Sequence, residues 1–472
     1  MSFWNRRKAF DAATHLDPSR RLKRTLSWPH LVALGVGAVV GTGIYTLIGV
    51  GAEMAGPAVI LSFVIAGLVC ACAALAYAEM ASLIPAAGSA YTYTYAVGGE
   101  LLAWIVGWSL ILEYSVVCSV VAVGWSGYAA GFLESAGIHL PAALLAGAFA
   151  GGLVNLPAVA ITFVVAGMLI LGTRESATVN TGLVTVKIIA LIVFITIGLA
   201  AFKSSHFSPF MPYGFSAHTA GNGTHGVMAA AAIIFFAFYG FDAVSTAAEE
   251  ARNPGRDVTW GIIGSMVVCT LLYMAVAAAA LGAIPFLDFA RSPEPLAHIL
   301  RSLGHPLAAT AIAAAAVIAL PTVILAFMYG QSRIFFVMAR DGLLPDSLGH
   351  VNPRTGTPVA MTLFTAVVVS VVAALFPIAD IAAVANAGTL CAFIAVSLCM
   401  LVLRVRAPNL ARTFRTPWAW LVGPFAIVGC IYLFVSLQSR TWKYFFVWNA
   451  VGVVVYFLYS VRNSRLARAT TD

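Results

Sequence analysis

Charge is what this sequence lacks most. Only 9% of its 472 residues are Asp, Glu, Lys or Arg, against about 25% in a soluble domain. With 61% hydrophobic residues, that deficit excludes a single water-soluble core and leaves a polytopic membrane protein. Cysteine offers no framework either. Cys70, Cys72, Cys118, Cys269, Cys391, Cys399 and Cys430 all lie inside apolar segments, where they read as small packing residues, not disulfide partners. No Cys/His group has metal-ligand spacing, and the nine histidines are scattered, so no metal and no cofactor are expected. No nucleophile–base set falls at membrane depth, which argues against an embedded enzyme. The first 29 residues are polar and basic and the apolar run after them is too long for an h-region, so no cleavable signal peptide is expected. Tails of about 30 and 11 residues are too short for the output domain of a nutrient sensor.

What is abundant is long apolar runs, each able to cross a bilayer as a helix. Twelve spans are read, near 31–56, 57–83, 101–133, 156–172, 178–202, 227–250, 258–284, 306–338, 358–376, 379–404, 417–437 and 442–461. An even number puts both termini on one side. Segments on that side hold twenty of the 26 Lys and Arg and the opposite loops five, with Lys187 inside a span. This positive-inside bias predicts cytoplasmic termini and accounts for the net charge of +8 without nucleic acid.

Spans 3 and 8 each run about 33 residues, roughly 50 Å of helix. That exceeds the ~30 Å hydrocarbon core and predicts strong tilt. Spans 1 and 6 are each interrupted, at Gly41-Thr42-Gly43 and at Tyr239-Gly240-Phe241-Asp242. Both pairs are five spans apart, and an odd number of spans per copy inverts the second copy. The expected architecture is an all-α membrane protein of 12 transmembrane helices, built as a five-plus-five inverted repeat with two outer helices. The parts are a tail 1–30, repeats 31–203 and 227–405, outer helices 406–461 and a tail 462–472. The outer pair leaves a face for membrane lipid, a sterol-like lipid or a small membrane peptide.

A helix opens at membrane depth only where it faces a cavity or a ligand. In span 1, Gly41 and Gly43 free the backbone to approach a ligand, and the half-helix after them aims N–H groups and a positive dipole end inward, an anion site. In span 6 the first half-helix ends near Phe238 with open carbonyls that attract an ammonium group. Together they suit an amino acid zwitterion. Asp242, an acid at membrane depth, reads either as functional or as a cap on the broken helix. Lys187, about nine residues into span 5, reads as a titratable amine that replaces a bound cation beside broken span 1 and couples protons to transport. Glu113 in span 3 reads as a second proton site or as a hydrogen-bond partner. Glu79 and the stretch Glu249, Glu250, Arg252 sit at the inner ends of spans 2 and 6, where mixed charges suit a gate of breakable ion pairs or a solvated interface.

Gly35-Val-Gly-Ala-Val-Val-Gly-Thr-Gly-Ile44, Ala76-Tyr-Ala-Glu-Met-Ala-Ser-Leu-Ile-Pro-Ala-Ala-Gly-Ser, Phe238-Tyr-Gly-Phe-Asp-Ala-Val-Ser-Thr-Ala-Ala-Glu-Glu-Ala-Arg-Asn-Pro254 and Tyr329-Gly-Gln-Ser-Arg-Ile-Phe-Phe-Val-Met-Ala-Arg-Asp-Gly-Leu-Leu-Pro345 resemble the amino acid–polyamine–organocation superfamily. Within it the chain is similar to bacterial members of the cationic amino acid transporter branch. The resemblance implies alternating access and proton-coupled amino acid uptake across the bacterial inner membrane. It implies that the substrate carboxylate meets Thr42, Gly43 and Ile44, and that the α-amine meets carbonyls of Phe236, Ala237 and Tyr239, with Phe236 as an aromatic gate. Lys187 matches the family's span-5 lysine and Glu113 its span-3 acid. Span 8 is expected to close the side-chain pocket through Ile318, Ala319 and Thr322; these are uncharged, which points to neutral or broad specificity. Thr259-Trp260 departs from the proline and basic residue that many relatives carry there. An amino acid/amine exchanger or a polyamine carrier of the same fold is the alternative.

Overall fold

The computed structural model describes residues 6–8, 26–85, 88–171, 177–220, 223–248, 251–345, 348 and 358–468. Span 1 is three pieces: α1 (Trp28–Val39), α2 (Thr42–Tyr45) and α3 (Leu47–Ala55). Ser27 precedes α1, with Pro29 in the first turn of the helix, a position that needs no amide hydrogen. Gly56, at φ 64°, turns the chain sharply into α4 (Val59–Leu83), a conformation only glycine adopts without strain. A short helix α5 (Ser89–Val97) then leads to α6 (Glu100–Ser135), α7 (Leu156–Ile170) and α8 (Ala177–Ala200).

A second interrupted stretch opens the latter half. Broken span 6 is α9 (Val227–Ile234), a single 3₁₀ turn (Phe235–Ala237) and α10 (Asp242–Thr246), followed by α11 (Pro254–Ala283). Two short helices, α12 (Phe286–Phe289) and α13 (Pro295–Ser302), precede α14 (Pro306–Arg340), α15 (Val359–Leu375) and α16 (Ile378–Arg406). The chain ends in α17 (Ala419–Val435) and α18 (Ser439–Val455). By length and composition, eight helical stretches among the described residues can cross a membrane, and four shorter apolar helices accompany them.

At 36 and 35 residues, α6 and α14 are about 54 and 52 Å long, so both must tilt within a bilayer. They pack along each other at the centre of the bundle. The other partnerships follow the same offset. α4 packs on α11, α7 on α15, and the pieces of span 1 meet those of span 6, so spans 1 to 4 each contact the span five later. The perimeter is apolar where it is exposed: Leu171, Leu271, Leu307, Leu421, Val428, Phe446 and Leu458 point outward, the signature of a lipid-facing surface.

Several elements depart from the expected all-helix pattern. α5, α12 and α13 are not spans. A two-stranded antiparallel hairpin joins His218–Ala220 to Gly223–His225. α18 continues through a π-helical turn at Tyr456–Ser460.

Candidate functional site

The two helix breaks face each other. α1 stops at Val39, Val40 and Gly41 are extended, and α2 restarts at Thr42. Gly240, at φ 114°, lies so close to the end of α1 that a Cβ would sit 3.0 Å from Ala38. Gly43 approaches the other break equally: a Cβ there would meet Ala237, with its Cβ only 2.7 Å away. Each break therefore carries the glycine that lets the opposite backbone in.

The freed carbonyls have named partners. Tyr273 of α11 donates to Val39 O at 2.7 Å. Asn386 of α16 donates its amide to Ala232 O and Ile233 O at 2.7 and 3.1 Å. Lys187 of α8, fully buried, donates Nζ to Gly37 O at 3.0 Å and to Thr322 Oγ1 at 3.4 Å. Tyr128 of α6 donates to Tyr45 O at 2.6 Å.

Between the breaks lies a cavity lined by Ala38, Val39, Gly41, Thr42 and Gly43 of span 1, by Phe236 and Tyr239 of span 6, by Val117 and Val121 of α6 and by Val323 and Phe327 of α14. It offers about 10 Å³ to the centre of a water-sized sphere, roughly one water molecule. Two of its buried hydroxyls, Thr42 Oγ1 and Tyr239 Oη, have no hydrogen-bond partner among the described residues. Buried polar groups are normally satisfied, so these two hydroxyls are free to take a polar ligand in the cavity.

Of the residues singled out in the sequence, Gly41, Thr42, Gly43, Phe236 and Tyr239 line this cavity together. Ile44 and Ala237 are fully buried behind it. Asp242 is turned away: its carboxylate accepts the Gly240 N–H at 3.2 Å and the Tyr114 hydroxyl at 3.3 Å, which is the capping role. Glu113 is buried beside Gly388 of α16, and its Oε2 has no partner among the described residues.

Several expectations need correction. Ile318 is 59% exposed on the outer face of α14 and cannot line the pocket. Ala319 is buried but outside the lining, and Thr322 serves Lys187. The α14 wall is Val323 and Phe327, one turn further on. Glu79 does not pair with the end of span 6. Its carboxylate receives Arg404 Nε at 2.9 Å and Nη2 at 2.6 Å, Arg412 Nε at 3.0 Å and the Thr416 N–H at 2.8 Å, so it clamps α4 to α16 and the 407–416 loop. Arg252 is exposed, and its backbone N–H donates to Leu26 O at 2.8 Å. Glu249 and Glu250 lie outside the described residues.

A second cluster of ion pairs ties residues 6–8 to α6, to the turn after α14 and to the segment after α18. Arg6 donates to Val461 O at 2.8 Å and to buried Glu100 at 3.4 Å. Glu100 also accepts from Tyr95, Tyr456 and Ser464. Lys8 Nζ pairs with Asp341 at 2.9 Å, and Tyr91 donates to the same carboxylate. At the opposite mouth, Glu294 pairs with Arg301 against Gly131, where any Cβ would collide with the Glu294 carboxylate. Burial pushes the Glu294 carboxyl up from its ordinary value, and Arg301 pulls it part of the way back.

Residues 26–458 match the family described as amino acid permease. The chain belongs to that family. The permease is 44% identical over 469 residues to a branched-chain amino acid permease of Bacillus subtilis, covering 98% of this chain and 99% of that protein. It is 40% identical to a methylthioribose transporter of the same organism, over 99% of this chain and 100% of that protein. To the mitochondrial cationic amino acid transporter 3 of Arabidopsis thaliana it is 38% identical, over 85% of this chain and 66% of that protein. These relatives are named as permeases and transporters, not enzymes. The permease's membership bears out the superfamily resemblance read from its motifs.

The sequence reading missed Val117, Val121, Val323 and Phe327 because apolar residues inside apolar spans carry no contrast. Asn386 and Tyr273 were findable: a polar side chain within a span marks a place where backbone or ligand needs it.

Proposed function

We propose that this permease imports neutral aliphatic amino acids by alternating access, coupled to protons. The observation that carries this reading is the cavity, where both helix breaks meet two unpartnered hydroxyls and a wall of valines and phenylalanine. The substrate carboxylate is assigned to the Thr42 hydroxyl and to the backbone at Thr42 and Gly43, the start of the restarting half-helix, with Ile44, whose own N–H is taken by Gly41 O at 3.2 Å, buried behind them. The α-amine is assigned to carbonyls of Phe236, Ala237 and Tyr239. Phe236 acts as the gate between them and the mouth. Val117, Val121, Val323 and Phe327 take the side chain. No charged side chain lines the cavity, so a guanidinium or second ammonium would be desolvated without a partner, at a cost of several kcal/mol. The 44% identical branched-chain permease supports the same substrate class.

Twelve spans are the reading that eight long and four shorter apolar helices support. The packing of each of spans 1 to 4 on the span five later supports inverted repeats 31–203 and 227–405. Meeting of the chain ends on one face, together with the positive-inside bias, supports cytoplasmic termini, and the two bacterial relatives support the bacterial inner membrane. Proton coupling is assigned to Lys187, which holds the Gly37 carbonyl while protonated and releases it when neutral, with Glu113 as a second acceptor. A second reading rests on the 40% identical methylthioribose transporter: an uncharged thioether sugar would also suit the aliphatic wall.

Proteoliposome uptake decides. Labelled isoleucine, leucine, valine, alanine, arginine, putrescine and methylthioribose are offered with and without an inward proton gradient. Gradient-driven isoleucine, leucine and valine uptake is expected. Uptake of arginine or putrescine alone overturns the substrate assignment, methylthioribose alone favours the second reading, and uptake only into amino-acid-loaded vesicles without response to the gradient replaces symport by exchange.

A further inference from the structure

A second cavity lies away from the substrate path, on the face where the chain ends meet. It sits between the turn after α14, at Gly342 and Leu344, and the end of α18, at Tyr459, Asn463, Arg465 and Arg468. It offers about 90 Å³ to the centre of a water-sized sphere, room for several waters and so for a tetrahedral phosphate group.

The cavity is built, not incidental. Gly342, at φ 78°, lets the C-terminal segment close over the turn: a Cβ there would stand 2.5 Å from Asn463 O. The Arg465 N–H donates to Asp341 O at 3.1 Å, and Arg468 Nη2 donates to Asn463 Oδ1 at 2.9 Å, so both arginine-bearing positions are fixed by neighbours. The described acids of this corner are already engaged, Asp341 by Lys8 and Tyr91, Glu100 by Arg6, Tyr95, Tyr456 and Ser464. Arg465, Arg468 and Tyr459 line the space and supply guanidinium and phenol donors suited to phosphate oxygens, while the Asn463 amide is engaged, its Nδ2 donating to Tyr459 O at 3.0 Å and its Oδ1 accepting from Arg468. Just before it, Phe457 is 44% and Leu458 74% exposed, so the cavity opens where the apolar perimeter ends.

We infer that this cavity binds the phosphodiester headgroup of an anionic phospholipid, with Arg465 and Arg468 on the phosphate and the acyl chains lying along Phe457 and Leu458. The inference rests on the proposed orientation, which places the cavity at the cytoplasmic leaflet, where anionic lipid is found and each nearby Lys or Arg strengthens its attraction. It does not depend on which substrate the permease carries.

The test is native mass spectrometry of the full-length protein, with phosphatidylglycerol or phosphatidylcholine of identical acyl chains added to detergent. The wild type is expected to retain phosphatidylglycerol preferentially, and Arg465→Gln and Arg468→Gln to weaken retention by about fivefold each. Arg462→Gln, a neighbouring exposed residue outside the cavity, is expected to retain it in full. Arg465→Lys with Arg468→Lys keeps the charge, and a monodisperse preparation that still prefers phosphatidylglycerol separates lost binding from lost folding. Equal retention of both lipids, or unchanged retention in the double glutamine variant, overturns the inference. Stabilisation by inorganic phosphate with no preference between the lipids also overturns it, because the source would then be a soluble phosphate.

Discussion

Lys187 of α8 donates its ammonium to the Gly37 carbonyl, 3.0 Å away, two residues before α1 ends. A fully buried side chain on one span thus supports the opened end of another. Replacing it with methionine leaves that carbonyl without its donor, a cost of about 1–3 kcal/mol, and removes the amine to which proton coupling is assigned. Lys187→Met is expected to remain monodisperse and to lose the pH dependence of uptake, measured as initial rate against external pH. A full pH response in that variant removes the lysine from the coupling step.

Two glycines of the first break should respond differently to one methyl group. At Gly41 a Cβ would meet only Val323 Cγ2, at 3.5 Å, an ordinary contact. At Gly43 it would run into Ala237 of the opposite break. Gly41→Ala is expected to bind substrate within a few-fold of wild type, and Gly43→Ala to lose at least tenfold, or about 1.4 kcal/mol, by calorimetry. Equal behaviour of the two would separate binding from the approach of the breaks.

Val323 sets the size of the side-chain end. Val323→Ala is expected to shift preference from valine towards larger substrates such as phenylalanine. The size of the shift is about 1–3 kcal/mol per methylene-sized change, read as a ratio of kcat/KM. An unchanged ratio would place the side chain elsewhere.

Glu79 is buried with two arginines on it. Arg404→Gln leaves this carboxylate with one cation, and breaking a buried pair costs about 3–5 kcal/mol. A lowered thermal midpoint in detergent is expected, partly restored in Glu79→Gln/Arg404→Gln. If Glu79 instead belonged to a gate that opens each cycle, the single variant would change transport and leave the midpoint in place.

Glu294 gives the mouth opposite Arg6 and Glu100 a pH dependence. Its folded-state value is raised above the ordinary 4.5 by burial first, with Arg301 opposing and Glu134 adding to the rise. A raised value means that the folded protein holds the proton more tightly than the unfolded chain. The stabilising contribution is then complete below 4.5 and is lost as pH rises through the folded value. Thermal midpoints are expected to rise on acidification across that window in the wild type and to flatten in Glu294→Gln.

The breaks and the long tilted helices were legible in the sequence because glycine density and run length are one-dimensional signals. Gly41, Gly43 and Gly240 fall where the helices part, and α6 and α14 have the excess length expected. Phase around a helix was harder. Ile318 and Val323 are five residues apart in one apolar stretch, yet one faces outward and the other the cavity, and without charge contrast nothing in the sequence fixes the rotation. Long-range pairing was hidden altogether: Glu79 and Arg404 are 325 positions apart. α5 escaped notice because its nine residues are buried on every side, leaving no amphipathic stripe to read.

The smallness of the space between the breaks has a thermodynamic corollary. It accommodates about one water, and any amino acid is many times larger, so substrate enters only a more open arrangement and acts as a wedge between Gly43 and Ala237. Observed affinity is then the intrinsic affinity multiplied by the fraction of molecules already opened. A substitution remote from the cavity that favours the open arrangement, and puts no bulk between Gly43 and Ala237, would therefore tighten apparent binding while adding no contact to the ligand.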